Sequence, residues 1–190
     1  GGSTNVQSVG KYRILPYLKS NGVNEIDYWF VSHTDLDHIS GLLEIFDEGY
    51  RIRNLVLFRG MMRDESYEKL VSLAKEHGTE ICMMSRKDAL FSGNAKITAI
   101  SPEYHVGDEQ RSEISTDKNG ESLVLLYEEK GFSALFTGDI GEEQEKQILK
   151  WDGINDIDFY KAAHHGSKYS NTKSFLDAVS PRISVISCAE

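Results

Sequence analysis

Residues His33-Thr34-Asp35-Leu36-Asp37-His38 place two imidazoles and two carboxyl groups within six positions. They follow the apolar run Tyr28-Trp29-Phe30-Val31 after a single serine and precede a helical pattern that starts near Ile39. Carboxylates crowded this closely repel one another and resist burial unless a shared partner neutralises them. A divalent cation is the simplest such partner, because imidazole nitrogen and carboxylate oxygen both ligate metals well. In an extended turn His33, Asp35 and Asp37 point alternately while the adjacent Asp37 and His38 diverge, so one short loop can feed two neighbouring cations. A solvated polar loop has no need of this spacing.

Two further segments repeat the context of a polar loop just past an apolar run. Leu135-Phe136-Thr137-Gly138-Asp139-Ile140-Gly141 carries Asp139, and Ala162-Ala163-His164-His165-Gly166-Ser167-Lys168 carries a histidine pair. Loops at the carboxyl ends of strands are where a rigid scaffold can bring distant polar groups together. Asp139, with two oxygens, is the natural candidate to bridge two cations, and a histidine of the third segment completes a coordination sphere. Each piece has a plainer reading. A lone Gly-Asp after a strand is commonly a turn, and a His-His-Gly can be a turn bonded to backbone. The combination of all three points to a metal centre.

The elements that must position these loops alternate along the chain. Hydrophobic spacing predicts helices over Lys11–Ser20, from Ile39 to near Gly49, over Tyr67–His77, Glu142–Lys150 and Thr172–Val179. Strand-like runs cover Ile26–Val31, Leu55–Phe58, Ile81–Met84, Lys96–Ile100, Ser122–Tyr127, Phe132–Thr137, Ile157–Ala162 and Ile183–Ser187. Glu128-Glu129-Lys130-Gly131 between two of them is a hairpin signal. The stretch from Glu103 to Glu121 is polar and without period, and reads as a long functional loop. Strands that alternate with helices and then cluster predict sheets with helices on their outer faces.

Composition narrows the function. With 190 residues, 39% hydrophobic and 27% charged, the chain suits one soluble α/β domain spanning residues 1–190, and no stretch is apolar for long enough to span a bilayer. The two cysteines, Cys82 and Cys188, form no CxxC pair and lie in apolar runs, so buried free thiols are expected. A net charge of −9 argues against a broad basic face for gripping duplex nucleic acid. It leaves room for an enzyme whose phosphate contacts are mainly metal ions.

At these residues the sequence resembles the metallo-β-lactamase fold superfamily, whose signature is His-x-His-x-Asp-His followed by a bridging aspartate and a final histidine. "SHTDLDHISG", "LFTGDI" and "AAHHGSKYSNTKSFLDAVSP" resemble in particular the hydrolase domain of the ComEC competence proteins. The resemblance implies an αββα four-layer sandwich, here a fragment of a larger membrane protein without its terminal strands. It implies metal-dependent hydrolysis, with degradation of DNA by a competence uptake protein as the favoured role. The expected partners are single-stranded DNA or another phosphodiester and the rest of a membrane channel protein, with the domain on the outer face of the cell membrane. His33, Asp35, Asp37, His38, Asp139 and His164 would hold the metal. Asp37, His165 and Ser167 would take part in catalysis, and Lys168 and Asn119 would bind substrate.

One departure bears on the cofactor. Asp35 stands where the superfamily has its second histidine, and a carboxylate there shifts preference from zinc toward manganese or magnesium. One or two divalent ions are expected, manganese or zinc first. The usual third-motif histidine is also absent, and His105, Asp117 and Asn119 are the candidates in the long loop. Two other functions compete: hydrolysis of a small ester, thioester or cyclic nucleotide, and a non-catalytic metal-stabilised module of a transport protein.

Overall fold

The computed structural model describes residues 2–4, 8–105, 118–150 and 154–188. Two sheets stack face to face. The first has three parallel strands in the order β1 (Glu25–Phe30), β2 (Arg51–Phe58), β3 (Glu80–Met84). The second has six: β4 (Ala89–Ser92), β5 (Ala95–Ser101), β6 (Val124–Glu129), β7 (Phe132–Phe136), β8 (Phe159–Lys161) and β9 (Ile183–Val185). Strands β4 to β7 are antiparallel, whereas β7, β8 and β9 run parallel.

Helices cover both outer faces. A π-helical turn, Gly10–Ile14, runs into α1 (Leu15–Ser20), and α2 (Leu36–Asp47) and α3 (Glu65–Glu76) join it against the first sheet. On the far side α4 (Glu142–Ile148) and α5 (Lys173–Val179) cover the second sheet. The resulting layers are the αββα sandwich. Among the described residues no helix is long and apolar enough to cross a membrane.

Side-chain period explains the layering. Helix α2 buries Ile39, Leu42, Leu43, Ile45 and Phe46, a stripe at the three-to-four spacing of one helical face. The central strand β2 buries Leu55 to Phe58 without alternation, as a strand covered on both sides must. Strand β6 and the residue before it alternate instead: Leu123 and Leu125 join the core between the sheets, and Val124 and Leu126 join the core under α4 and α5. The β6–β7 turn is Lys130-Gly131, both at positive φ, which matches the twist of a two-residue hairpin.

Several sequence expectations change. Helix α2 starts at Leu36, three residues before the apolar periodicity does, so Asp37 and His38 lie in its first turn and not in an extended loop. Asp35 is the N-cap, and its carbonyl accepts from the His38 and Ile39 amides at 2.9 and 3.1 Å. Strand β4 was not anticipated, because Ala89-Leu90-Phe91-Ser92 is too short to show a period. Cys188 is exposed and Cys82 half-buried, so the expectation of two buried thiols fails. Most of the expected long loop, residues 106–117 with Asp117, lies outside the described residues.

Candidate metal centre

The three chemistry-bearing segments meet where β1, β7 and β8 end. A close backbone approach brings them there. The Leu123 amide donates to the Ser32 carbonyl at 2.9 Å, tying the entrance of β6 to the exit of β1 across the two sheets. Gly138 sits at φ +56 between them, and a Cβ at that position would lie 2.7 Å from the Ser122 Cβ and 2.8 Å from the Ser32 Cβ. Glycine is therefore required twice over, by its backbone angle and by the space. The third loop docks on the same residue, with the His164 amide donating to the Gly138 carbonyl at 3.1 Å.

Asp37, His38, Asp139 and His165 each offer a ligand atom there, all within 4.8 Å of one another. His38 Nε2 lies 3.2 Å from Asp139 Oδ2 and 3.8 Å from Asp37 Oδ2. His165 Nε2 lies 3.2 Å from Asp37 Oδ2, 3.3 Å from Asp139 Oδ2 and 3.3 Å from His38 Nε2. His33 flanks the group, its Nε2 3.7 Å from Asp35 Oδ2 and its ring centroid 4.1 Å from that of His38.

All three rings are aimed by their other nitrogen. His33 Nδ1 is 3.2 Å from the hydroxyls of both Ser32 and Ser122, and His38 Nδ1 is 3.1 Å from Ser32 Oγ. His165 Nδ1 donates to the Ser187 carbonyl at 2.6 Å, just past β9. A neutral ring that carries its proton on Nδ1 and donates it to such a partner keeps its Nε2 lone pair free for a cation, the usual outer arrangement around a metal-ligating histidine. Asp139 is fixed too, its amide donating to Ser122 Oγ at 3.1 Å.

The donor set fits a divalent cation. Among the described residues His33, only 2% exposed, has no hydrogen-bond partner at Nε2, and Asp139, 3% exposed, has none at Oδ1. Buried polar atoms are nearly always satisfied, so two orphans facing one cluster mark a place for a ligand. Burial, then repulsion from His38, holds the His33 imidazole down at about 4. Burial alone pushes the Asp139 carboxyl up, but the His38 hydrogen bond and the charges of His38, His165 and His33 outweigh it and bring Asp139 to about 2. Near neutral pH the cluster thus offers an ionised Asp139 carboxylate and a neutral buried His33 imidazole, the protonation states a metal requires.

The remaining candidates lie around this group. His164 is adjacent to it but does not join it: its backbone takes a left-handed turn at φ 48, and its ring centroid is 6.4 Å from that of His165. The structure thus brings in the second histidine of the pair. Ser167 is engaged within its own turn, its amide donating to the His164 carbonyl and its Oγ accepting from the Tyr169 amide. Lys168 is exposed, its ammonium over the Tyr169 ring at 4.9 Å. Asn119 lies in the turn before β6, its carbonyl accepting from the Ser122 amide at 3.0 Å. His105 is exposed and outside the cluster.

Sequence reasoning missed the residues that support the loops. Glu145 of α4 is fully buried, and its carboxylate accepts from the amides of Asn171 and Thr172 and from the Thr172 hydroxyl. Asn171 in turn clamps Ala163, accepting from its amide at 2.9 Å and donating to its carbonyl at 3.0 Å. This chain fixes the turn that carries His165. Lys161 is also new, its ammonium 3.9 Å from Asp139 Oδ1 and its pKa lowered by burial against the pull of Asp139 and Asp37.

With the geometry in place, comparison with known proteins is informative. No protein-family model matches the chain. The chain is 30% identical over 183 residues to ComE operon protein 3 of Bacillus subtilis, an alignment covering 96% of this chain and 22% of that protein. It is 29% identical over 175 residues to competence protein ComA of Neisseria gonorrhoeae, covering 92% of this chain and again 22% of the relative. The chain therefore spans about a fifth of the length of these relatives. Among solved structures it is similar to the metallo-β-lactamase fold protein YhfI of Bacillus subtilis, with a TM-score of 0.54 and 12% identity over 90% of this chain and 68% of that one.

Proposed function

We propose, from the premise that this chain belongs to the metallo-β-lactamase fold superfamily and is related to the ComEC competence proteins, that it is a metal-dependent phosphodiesterase domain acting on DNA. One observation carries the reading: side chains from the β1, β7 and β8 loops converge with ligand atoms within 4.8 Å. Asp37, His38, Asp139 and His165 would hold one divalent ion, and His33 and Asp35, with Asp139 between, a second. Carboxylates and imidazoles in this mixture favour manganese, with zinc and magnesium as competitors.

A bound divalent cation supplies positive charge to a phosphodiester and makes a nearby water a better nucleophile near neutral pH. The chain's own residues do the rest. Asp37 is about one-third exposed and faces the open side, where it can orient an attacking water. Lys161 places an ammonium beside Asp139 at the same rim, suited to a phosphate oxygen. The Gly166-Ser167-Lys168 turn follows His165 directly, and its hydroxyl and ammonium would contact substrate by exchanging their present contacts with the Tyr169 amide and ring. The chain spans about a fifth of each relative's length, and the ComEC resemblance suggests that it would work as one part of a longer membrane protein.

The deciding experiment is cleavage of single-stranded DNA with Mn²⁺, with and without chelator, by the wild type and Asp37→Ala. The wild type is expected to cut only with metal, and the variant to stay folded and inactive. An Asp37→Ala protein that cuts at the wild-type rate overturns the assignment. A second reading has its own observation. A cavity of about 460 Å³ borders the site between the sheets, lined by Tyr28, Trp29, Phe30, Leu125, His38 and Lys161. An apolar chamber beside the ligands suits a small ester or thioester, and the same assay run on such substrates separates the two.

A further inference from the structure

Lys118 reaches into the first loop from the turn that precedes β6. Its ammonium lies 3.1 Å from Asp35 Oδ1 and also pairs with Asp64 Oδ2. Asp64 is anchored independently: as the N-cap of α3, its Oδ1 accepts from the Tyr67 amide at 2.9 Å, and the Thr34 hydroxyl is 3.5 Å away. Among the described residues Asp35 has no such anchor. Its side chain makes no capping bond, and its other oxygen faces the partnerless Nε2 of His33. The turn bearing Lys118 also orients His33, since the Ser122 amide donates to the Asn119 carbonyl and Ser122 Oγ meets His33 Nδ1.

We infer that Lys118 is a tethered cation that competes with the second metal ion for Asp35, with Asp64 as its parking place. The inference rests on the metal reading above. One ammonium between two carboxylates leaves a single net negative charge there, so a divalent ion at His33 and Asp35 must enter beside an existing positive charge. Ion pairs of this kind are shorter and stronger than neutral hydrogen bonds, so the ion must displace a real contact. The group at Asp37, His38, Asp139 and His165 includes no lysine pair of this closeness: Lys161 stays 3.9 Å from Asp139. The first ion therefore meets only the more distant Lys161 ammonium, and the second a direct Lys118 ion pair.

The test is Mn²⁺ titration calorimetry, with metal content measured on the same samples, for the wild type, Lys118→Met, Lys118→Arg and Asp64→Asn. The wild type is expected to bind one ion tightly and a second weakly. Removing a unit charge a few ångströms from the second ion should tighten that event about tenfold or more in Lys118→Met. Lys118→Arg should resemble the wild type. Asp64→Asn, which leaves the ammonium only Asp35, should weaken the second event. An intact first event with a second event in Lys118→Met no tighter than in the wild type overturns the inference and spares the metal reading. Absence of any first event in the wild type overturns the metal reading itself. Should Lys118→Met not fold, the opposite shift in Asp64→Asn decides, and an unmoved second event there counts against the inference.

Discussion

Substituting Gly138 tests whether backbone crowding assembles the centre. An alanine there pays first for a left-handed backbone, about 1–2 kcal/mol for a residue with a Cβ. The new carbon then lies 2.7 Å from the Ser122 Cβ and 2.8 Å from the Ser32 Cβ, far inside ordinary carbon contact. Overpacking of this kind costs about 1–3 kcal/mol more, because both neighbours are short side chains on constrained backbone and cannot swing away. The expected loss is about 2–5 kcal/mol of stability. It should come with weaker metal binding, since Ser32 and Ser122 are the residues whose hydroxyls meet His33 and His38 and receive the Asp139 amide.

Gly22 gives the internal control. It too sits at positive φ, +69, but an added Cβ would meet nothing within 4 Å. Gly22→Ala carries the backbone cost alone, about 1–2 kcal/mol, and should leave metal affinity unmoved. Urea unfolding of both variants, paired with Mn²⁺ isotherms, separates the two contributions. If Gly138→Ala is no less stable than Gly22→Ala and binds metal like the wild type, the crowding argument is wrong.

Three further outcomes follow from the same geometry. His33 is held near 4 in the folded chain against an ordinary 6.5, so the native state binds fewer protons than the unfolded state between those values. Metal-free protein should thus keep this stability above pH 6.5 and lose about 3 kcal/mol of it as pH falls through 4, a loss His33→Gln should abolish; urea unfolding at several pH values reads it, and equal slopes for both proteins refute it. Glu145→Ala strands the Asn171 and Thr172 donors in a fully buried site and should cost about 3 kcal/mol or more by thermal unfolding, with Glu145→Gln partly restoring it; a neutral Glu145→Ala counts against the clamp. His165→Ala should weaken Mn²⁺ binding about tenfold or more while His164→Asn changes it little, and calorimetry showing the reverse order would reassign the ligand.

The parts legible in the sequence are those that depend on local pattern. Asp37, His38 and Asp139, which the structure gathers with His165, could be picked out as candidates because each follows an apolar strand, and a strand's end is a fixed place in space. Most helices and strands could be read from their periods, and the Lys130-Gly131 hairpin from its turn residues. What escaped depends on angles and on contacts across the chain. Nothing in the letters His-His distinguishes the residue that joins the cluster; that is decided by two successive left-handed residues at φ 48 and 55, which turn His165 inward. The start of α2 was misplaced because Leu36, Asp37 and His38 carry no apolar stripe, although they fold as its first turn under the Asp35 cap.

Ser122 shows why supporting residues are harder to find than ligands. In the sequence it is merely the polar first residue of a strand-like run. In the fold it is fully buried, receives the Asp139 amide, meets His33 and borders the Gly138 turn, contacts made by residues 17 and 89 positions away. Its importance belongs to the junction of three loops and to no one of them, and that of Glu145 likewise lies in bonds to residues 26 and 27 positions away. A metal ion can pull ligands together only as far as the backbone lets them approach. In this chain that limit is set by a glycine, two serines and a buried glutamate, so variants at these positions should move metal affinity even though none of them offers the ion a donor atom.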